Sequence, residues 1–167
     1  MAYSNNLIGV SLTRRDARNT VTSSAKPMHA YGDITIGNNG NRALYVKAGE
    51  AITQYDALAV DENFTAKKLT RVLALVGHRI AWCQADDVVT NDSFWAVVEG
   101  PVTGRLTASV AADAALYIRT GSTAGVLDDL VTASGTLLNG VVAVSANATT
   151  GNANRGLFLT YPHVASV

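Results

Sequence analysis

The sequence predicts an all-β fold, a small β-barrel or β-tulip-like domain with an extended N-terminal arm, and three observations carry that prediction. Short apolar runs rich in Val, Leu, Ile and aromatics recur roughly every 8 to 15 residues from Arg42 onward, the rhythm of strands in a barrel or sandwich. Clusters of Gly, Asn, Asp, Ser and Thr separate these runs and supply turn chemistry. Sustained helical periodicity is scarce.

Residues 1–40 hold Ser, Thr, Asn, Gly and Arg with scattered apolar positions and no sustained period. Such a segment buries too little apolar area to offset its own chain entropy, so it reads as an arm that orders when it lies on a partner. Leu7, Ile8, Val10, Leu12 and Tyr31 would supply its apolar contacts, and Arg14, Arg15 and Arg18 its charged ones. A leading strand followed by a loop fits the same residues.

The folded domain is expected over 41–167, after the turn signal Asn38-Asn39-Gly40-Asn41. Strands are expected at 44–46 before Gly49, at 57–60 before Asp61-Glu62-Asn63, and within the apolar run 72–80. The stretch 94–98 follows the turn-like Thr90-Asn91-Asp92-Ser93 and ends at Gly100-Pro101. Residues 102–106 alternate, 116–118 precede the glycines of 121–125, 141–144 follow Asn139-Gly140, and 157–159 follow a polar loop. Leu116 and Phe158 are expected in the core. A short helix fits in two places, 69–76 and the alanines of 108–115. The set Ile52, Ala57, Leu58 and Val60 repeats at one spacing as Val110, Ala115, Leu116 and Ile118, which points to a shared device in which a bend feeds a strand.

With 48% hydrophobic against 16% charged residues, a chain of 167 residues fits one domain with a real core and no need of a metal or disulfide staple. Lys+Arg 13 against Asp+Glu 13 gives no net charge, although the head is basic and the region 80–130 acidic. Four cations spread over residues 1–31 are too sparse for phosphate binding, so no nucleic-acid partner is expected. No run of 18 apolar residues exists and no leader pattern stands at Met1, so the expectation is a protein made in a cytoplasm with no membrane partner. Cys83, the single cysteine, lies in an apolar stretch and reads as a packing residue.

Catalytic constellations are not visible. His29, His78 and His163 stand far apart, and His78 with Cys83 would need ligands from distant loops to hold a metal. Asp86-Asp87 and Asp128-Asp129 lack a calcium-loop context, and adjacent carboxylates on a strand point to opposite faces. There is no nucleophile elbow, and the glycines of 121–125 lack the lysine of a phosphate loop. Asn147-Ala148-Thr149 matches a glycosylation acceptor without a secretory context. No enzyme activity, metal or cofactor is expected. Trp82, Trp95 and Tyr117 could stack on a carbohydrate, which gives a second reading as a carbohydrate- or surface-binding β module. A β-barrel hydrolase is a third.

The succession Val46-Lys47-Ala48-Gly49-Glu50-Ala51-Ile52, Asp56-Ala57-Leu58-Ala59-Val60, Gly100-Pro101-Val102, Ala114-Ala115-Leu116-Tyr117-Ile118, Asn139-Gly140-Val141-Val142-Ala143 and Gly156-Leu157-Phe158-Leu159 resembles the small capsid decoration (cement) proteins of tailed phages. The resemblance runs from Tyr45 to Leu159 and consists of turns and strands, with no catalytic motif. It implies a β-barrel or β-tulip-like domain on the outside of an expanded head, binding the major capsid protein, commonly as a homotrimer, with an arm that staples neighbouring subunits. It also implies a place on the virion exterior. The chain departs from the common pattern in its longer arm and in the insertion 61–68.

Overall fold

The computed structural model describes residues 10–16, 27–37, 39–86, 88–130 and 135–165. The chain is nearly all β, with 49% strand and 4% helix, and contains a closed five-stranded barrel. Its elements are β1 (Arg15–Asp16), β2 (Ile34–Ile36), β3 (Arg42–Ala48), β4 (Ala57–Val60), β5 (Thr65–Lys68), α1 (Arg71–Leu75), β6 (Arg79–Cys83), β7 (Ser93–Leu106), β8 (Ala115–Arg119), β9 (Gly135–Ala143) and β10 (Ala153–Val164). The barrel closes in the order β3-β5-β4-β6-β7 and back to β3. Within it the β3–β5 contact is parallel and the other four are antiparallel.

The long strand β7 belongs to two structures at once. Its first half completes the barrel against β3 and β6, and its second half, from Glu99 to Leu106, pairs with β10 and so begins a sheet that continues through β9 to β8. That sheet folds over the barrel wall, and the sequence of the barrel strands follows from this. Leu44, Val46, Leu58, Val60, Phe94, Ala96 and Val98 point into the barrel, where Ala66 and Ala81 leave room for Phe94 and Leu58 in a narrow interior. The alternate residues Tyr45, Ala59, Trp82, Trp95 and Val97 point outward and meet Leu116, Ile118, Leu138, Val141, Leu157 and Leu159 of the sheet. Both faces are buried, so β4 reads as an uninterrupted apolar run, whereas β10 alternates because one of its faces meets solvent.

The repeated device exists in the backbone. Tyr55 and Asp113, equivalent positions of the two copies, take positive φ of 71° and 58°, two residues before β4 and β8. Asn91 does the same before β7, with φ 75°. In the first and third places an aspartate closes the turn, Asp56 accepting from the Thr53 amide and Asp92 from the Val89 amide, both at 3.0 Å. Ala114 stands at that position before β8, and the carboxylate of Asp129 reaches across to the Ala111 amide at 2.8 Å instead.

Two sequence expectations change. The helix occupies 71–75, inside the expected 69–76 and capped by the Thr70 hydroxyl, but 108–115 is not helical, because Ser109 and Asp113 both sit at positive φ. Two described stretches of 1–40 join the sheet: β1 pairs with β7 and β2 with β3. Phe158 lies on the outer face of β10, 47% exposed, while Leu157 and Leu159 point inward. A Leu-Phe-Leu triplet does not disclose its own parity, and a shift of one residue exchanges the faces. Leu116→Ala is therefore expected to cost about 2–5 kcal/mol and Phe158→Ala less than about 1 kcal/mol, read from urea midpoints at constant slope. Equal costs would refute the assigned parity.

Candidate functional site

Among the described residues, four of the N-terminal positions expected to meet a partner contact the barrel. Val10, Leu12 and Tyr31 pack half-buried against the outer core. Arg15 pairs with the buried carboxylate of Asp92. Tyr31 stacks on Tyr45 with ring centroids 5.8 Å apart, and its hydroxyl lies 3.0 Å from Ser93 Oγ. Tyr45 in turn donates to Asp16, and burial followed by that carboxylate pushes its phenol well above the ordinary value. His29 sits against Tyr45 and Trp95 at 5.1 and 5.0 Å, which makes it a packing group. Arg14 is exposed, while Leu7, Ile8 and Arg18 lie outside the described residues.

A cavity of about 680 Å³ opens at the opposite end of the barrel. That end is formed by the starts of β3, β5 and β6, the end of β4 and the end of the barrel half of β7. Leu44, Val60 and Val98 of the barrel interior line it, together with Phe64 and Tyr161. Asp61, Glu62, His78, Arg79 and His163 add polar groups. Asp61 Oδ1 accepts from the Asn63 and Thr65 amides at 2.9 and 2.8 Å, which fixes the turn that carries Glu62 and Phe64. Phe64 takes a φ of 58°, and its ring fills the space where a side chain on Gly32 would stand. Of these residues the sequence had singled out only the two histidines. The others come from segments far apart in the chain and form no local motif.

The remaining sequence candidates resolve individually. Cys83 is fully buried and its thiol is pushed up to about 12, chiefly by burial, so it is a packing group at neutral pH. Asp128 pairs with Arg119 at 2.6 Å, Asp86 is exposed, and Asp87 lies outside the described residues. Asn147 is fully buried, and its amide donates to the carbonyls of Leu106, Thr107 and Gly151, so it organises a loop and is closed to glycosylation. Trp82 and Trp95 are 0% and 4% exposed and offer no stacking face to a sugar. Tyr117 is half-buried. Among the described residues no group of three or more His, Cys, Asp or Glu is placed to hold a metal ion.

One surface is apolar in register. Pro101 of β7 lies opposite Phe158 of β10, Phe158 opposite Val142 of β9, and Val142 opposite Ala115 of β8. All four are exposed, and exposed Val144 follows directly after the end of β9. Directly opposed side chains on one sheet face lie close enough to form a continuous strip. No family model matches the chain, and no curated protein matches its sequence.

Proposed function

We propose that this chain is a non-enzymatic structural protein that decorates the outer surface of a tailed-phage head, holding the major capsid protein lattice together as a homotrimer on the virion exterior. The observation that carries the adhesive part of this reading is the in-register strip Pro101–Phe158–Val142–Ala115. Four strands present apolar side chains to solvent in one row on a sheet whose other face is locked to the barrel. Contiguous exposed apolar surface of this kind marks a contact site, and a rigid support limits the entropy lost on binding. The resemblance between Tyr45 and Leu159 supports a capsid as the partner. A trimer engaging three equivalent sites would turn modest contacts into tight attachment through effective concentration.

The test is co-sedimentation of the purified chain with expanded heads assembled from the major capsid protein of the same genome. Saturable binding at fixed stoichiometry is expected, and Phe158→Asp should abolish it while leaving the unfolding midpoint almost unchanged, since the side chain is half exposed. A wild-type chain that stays in the supernatant would end this reading. Light scattering of the free protein tests the trimer separately.

A further inference from the structure

The cavity at the open end of the barrel has no part in the adhesive reading and carries features of its own. Tyr161 is held there by an irregularity in β10. Between the pairs Leu159↔Val141 and His163↔Asn139, β10 advances four residues while β9 advances two. Gly140 opposite, at φ +74°, admits the displaced chain, because a side chain there would meet the Thr160 carbonyl oxygen at 2.6 Å. Tyr161 itself sits at φ 51°, a conformation an aromatic residue rarely takes. Bulges re-aim side chains, and strained residues persist where the surroundings hold them. Tyr161 is 49% exposed, and the Arg42 guanidinium lies over its ring, 5.5 Å from the centre. Arg42 is held in turn by Glu99 at 3.6 Å.

We infer that this cavity binds a neutral saccharide, with Tyr161 as the stacking platform and Glu62, His78, Arg79 and His163 as hydroxyl partners. The chemistry around the opening selects that class. Sugar hydroxyls donate and accept together, and the rim offers acceptors in Asp61 and Glu62, donors in Arg79, and in His78 an imidazole that does either, while His163 Nδ1 donates to the Tyr161 carbonyl at 3.2 Å and leaves Nε2 to accept. An anion would face both carboxylates, and a cation would face Arg79. A wholly apolar ligand would strip water from these groups and return no hydrogen bonds. The apolar lining residues Leu44, Val60 and Val98 and the Tyr161 ring suit the C–H face of a pyranose ring, and the volume lies within the usual range of small-ligand sites. The inference stands independently of the capsid reading, since the apolar strip contributes none of these residues.

The experiment is a titration of the isotope-labelled full chain with neutral oligosaccharides of glucose, galactose, mannose and N-acetylglucosamine, followed by amide correlation spectra. Benzoate and benzylamine serve as charged controls. At least one saccharide should shift the amides of Glu62, Phe64, Val76 and His78 saturably. Tyr161→Gly removes the platform yet suits the positive φ, so the fold should survive, and its spectrum checks this; saccharide binding should weaken about tenfold. Glu62→Gln should weaken it as well. The inference is overturned if no saccharide moves these amides, if Tyr161→Gly binds as the wild type does, or if either charged control binds there more tightly than every saccharide.

Discussion

Replacing Arg105 by alanine is expected to destabilise the protein by about 3–5 kcal/mol, because it strands a carboxylate in the core. Asp56 has no exposed surface, and the Arg105 guanidinium reaches its Oδ1 at 2.7 Å. The Thr53 amide at 3.0 Å is the other donor on this carboxylate. The pair also joins the two halves of the fold. Asp56 introduces β4 of the barrel, while Arg105 lies in the sheet half of β7, where its amide donates to the Tyr55 carbonyl and its own carbonyl accepts from Leu127. Gly125 presses on the same carboxylate, since a side chain there would come within 2.7 Å of Asp56 Cβ and Cγ. Loss of the guanidinium leaves a charge that water cannot easily reach, and a chemical denaturation curve reads the cost directly. A loss below about 1 kcal/mol would show that the site admits solvent.

The same residue sets a pH dependence with a definite sign. Burial raises the Asp56 carboxyl above the ordinary 3.8, against the lowering influence of Arg105 and the Thr53 amide. An acid whose folded pKa lies above its unfolded value takes up its proton at higher pH in the native state, so its charged form weakens the fold at neutral pH. That penalty is relieved as pH falls through the folded pKa, and the gain is complete below the unfolded value. Relative to Asp56→Asn, the wild type should therefore gain stability between neutral pH and about pH 4. Urea unfolding of both proteins across that window measures the gap. A gap that moves against the wild type on acidification would mean that Arg105 outweighs burial.

What the sequence discloses and what it hides have physical reasons. The strand at 57–60 was legible as a short apolar run between turn signals, and the buried state of Cys83 followed from its apolar neighbours. The closure of the barrel was not legible, because it rests on β3 meeting β5 and β7 at distant positions, and register is a property of pairs of strands. The turn before β7 announced itself through Asn91, a residue that tolerates positive φ. Tyr55 takes the same conformation with no compositional mark. The reach of Asp129 to Ala111 was equally hidden, since it substitutes in space for an aspartate that one copy of the turn lacks. The cavity at the end of the barrel draws Glu62, Arg79 and Tyr161 from three separated segments, and of its residues only His78 and His163 drew attention by type. Tyr161 could have been suspected only from the Asn139-Gly140 dipeptide on the neighbouring strand, and then only with the pairing known.

Trp82→Ala should be the most damaging single truncation in the core, at about 3–5 kcal/mol. Trp82 is the largest of the fully buried side chains and belongs to the outer wall of the barrel, where the covering sheet packs. It pairs across β6 with Ala57 and Val97, and Gly104 of the sheet half of β7 lies so close that a Cβ there would stand 2.8 Å from the indole Nε1 and 2.3 Å from Leu157 Cδ1. A glycine and a tryptophan thus share one space between the layers, so removing the indole opens a cavity that neither layer can collapse into. The indole nitrogen has no hydrogen-bond partner among the described residues. Trp82→Phe deletes that polar atom along with part of the volume, and it should cost only about 1–2 kcal/mol. Gly104→Ala overpacks the same space and should cost about 1–3 kcal/mol in the wild type. In the Trp82→Phe background it should cost less, because the ring that it would strike is smaller. A double-mutant cycle isolates this coupling. If Gly104→Ala costs the same in both backgrounds, the indole and the glycine are not competing for one space, and the interlayer packing assigned to Trp82 is wrong.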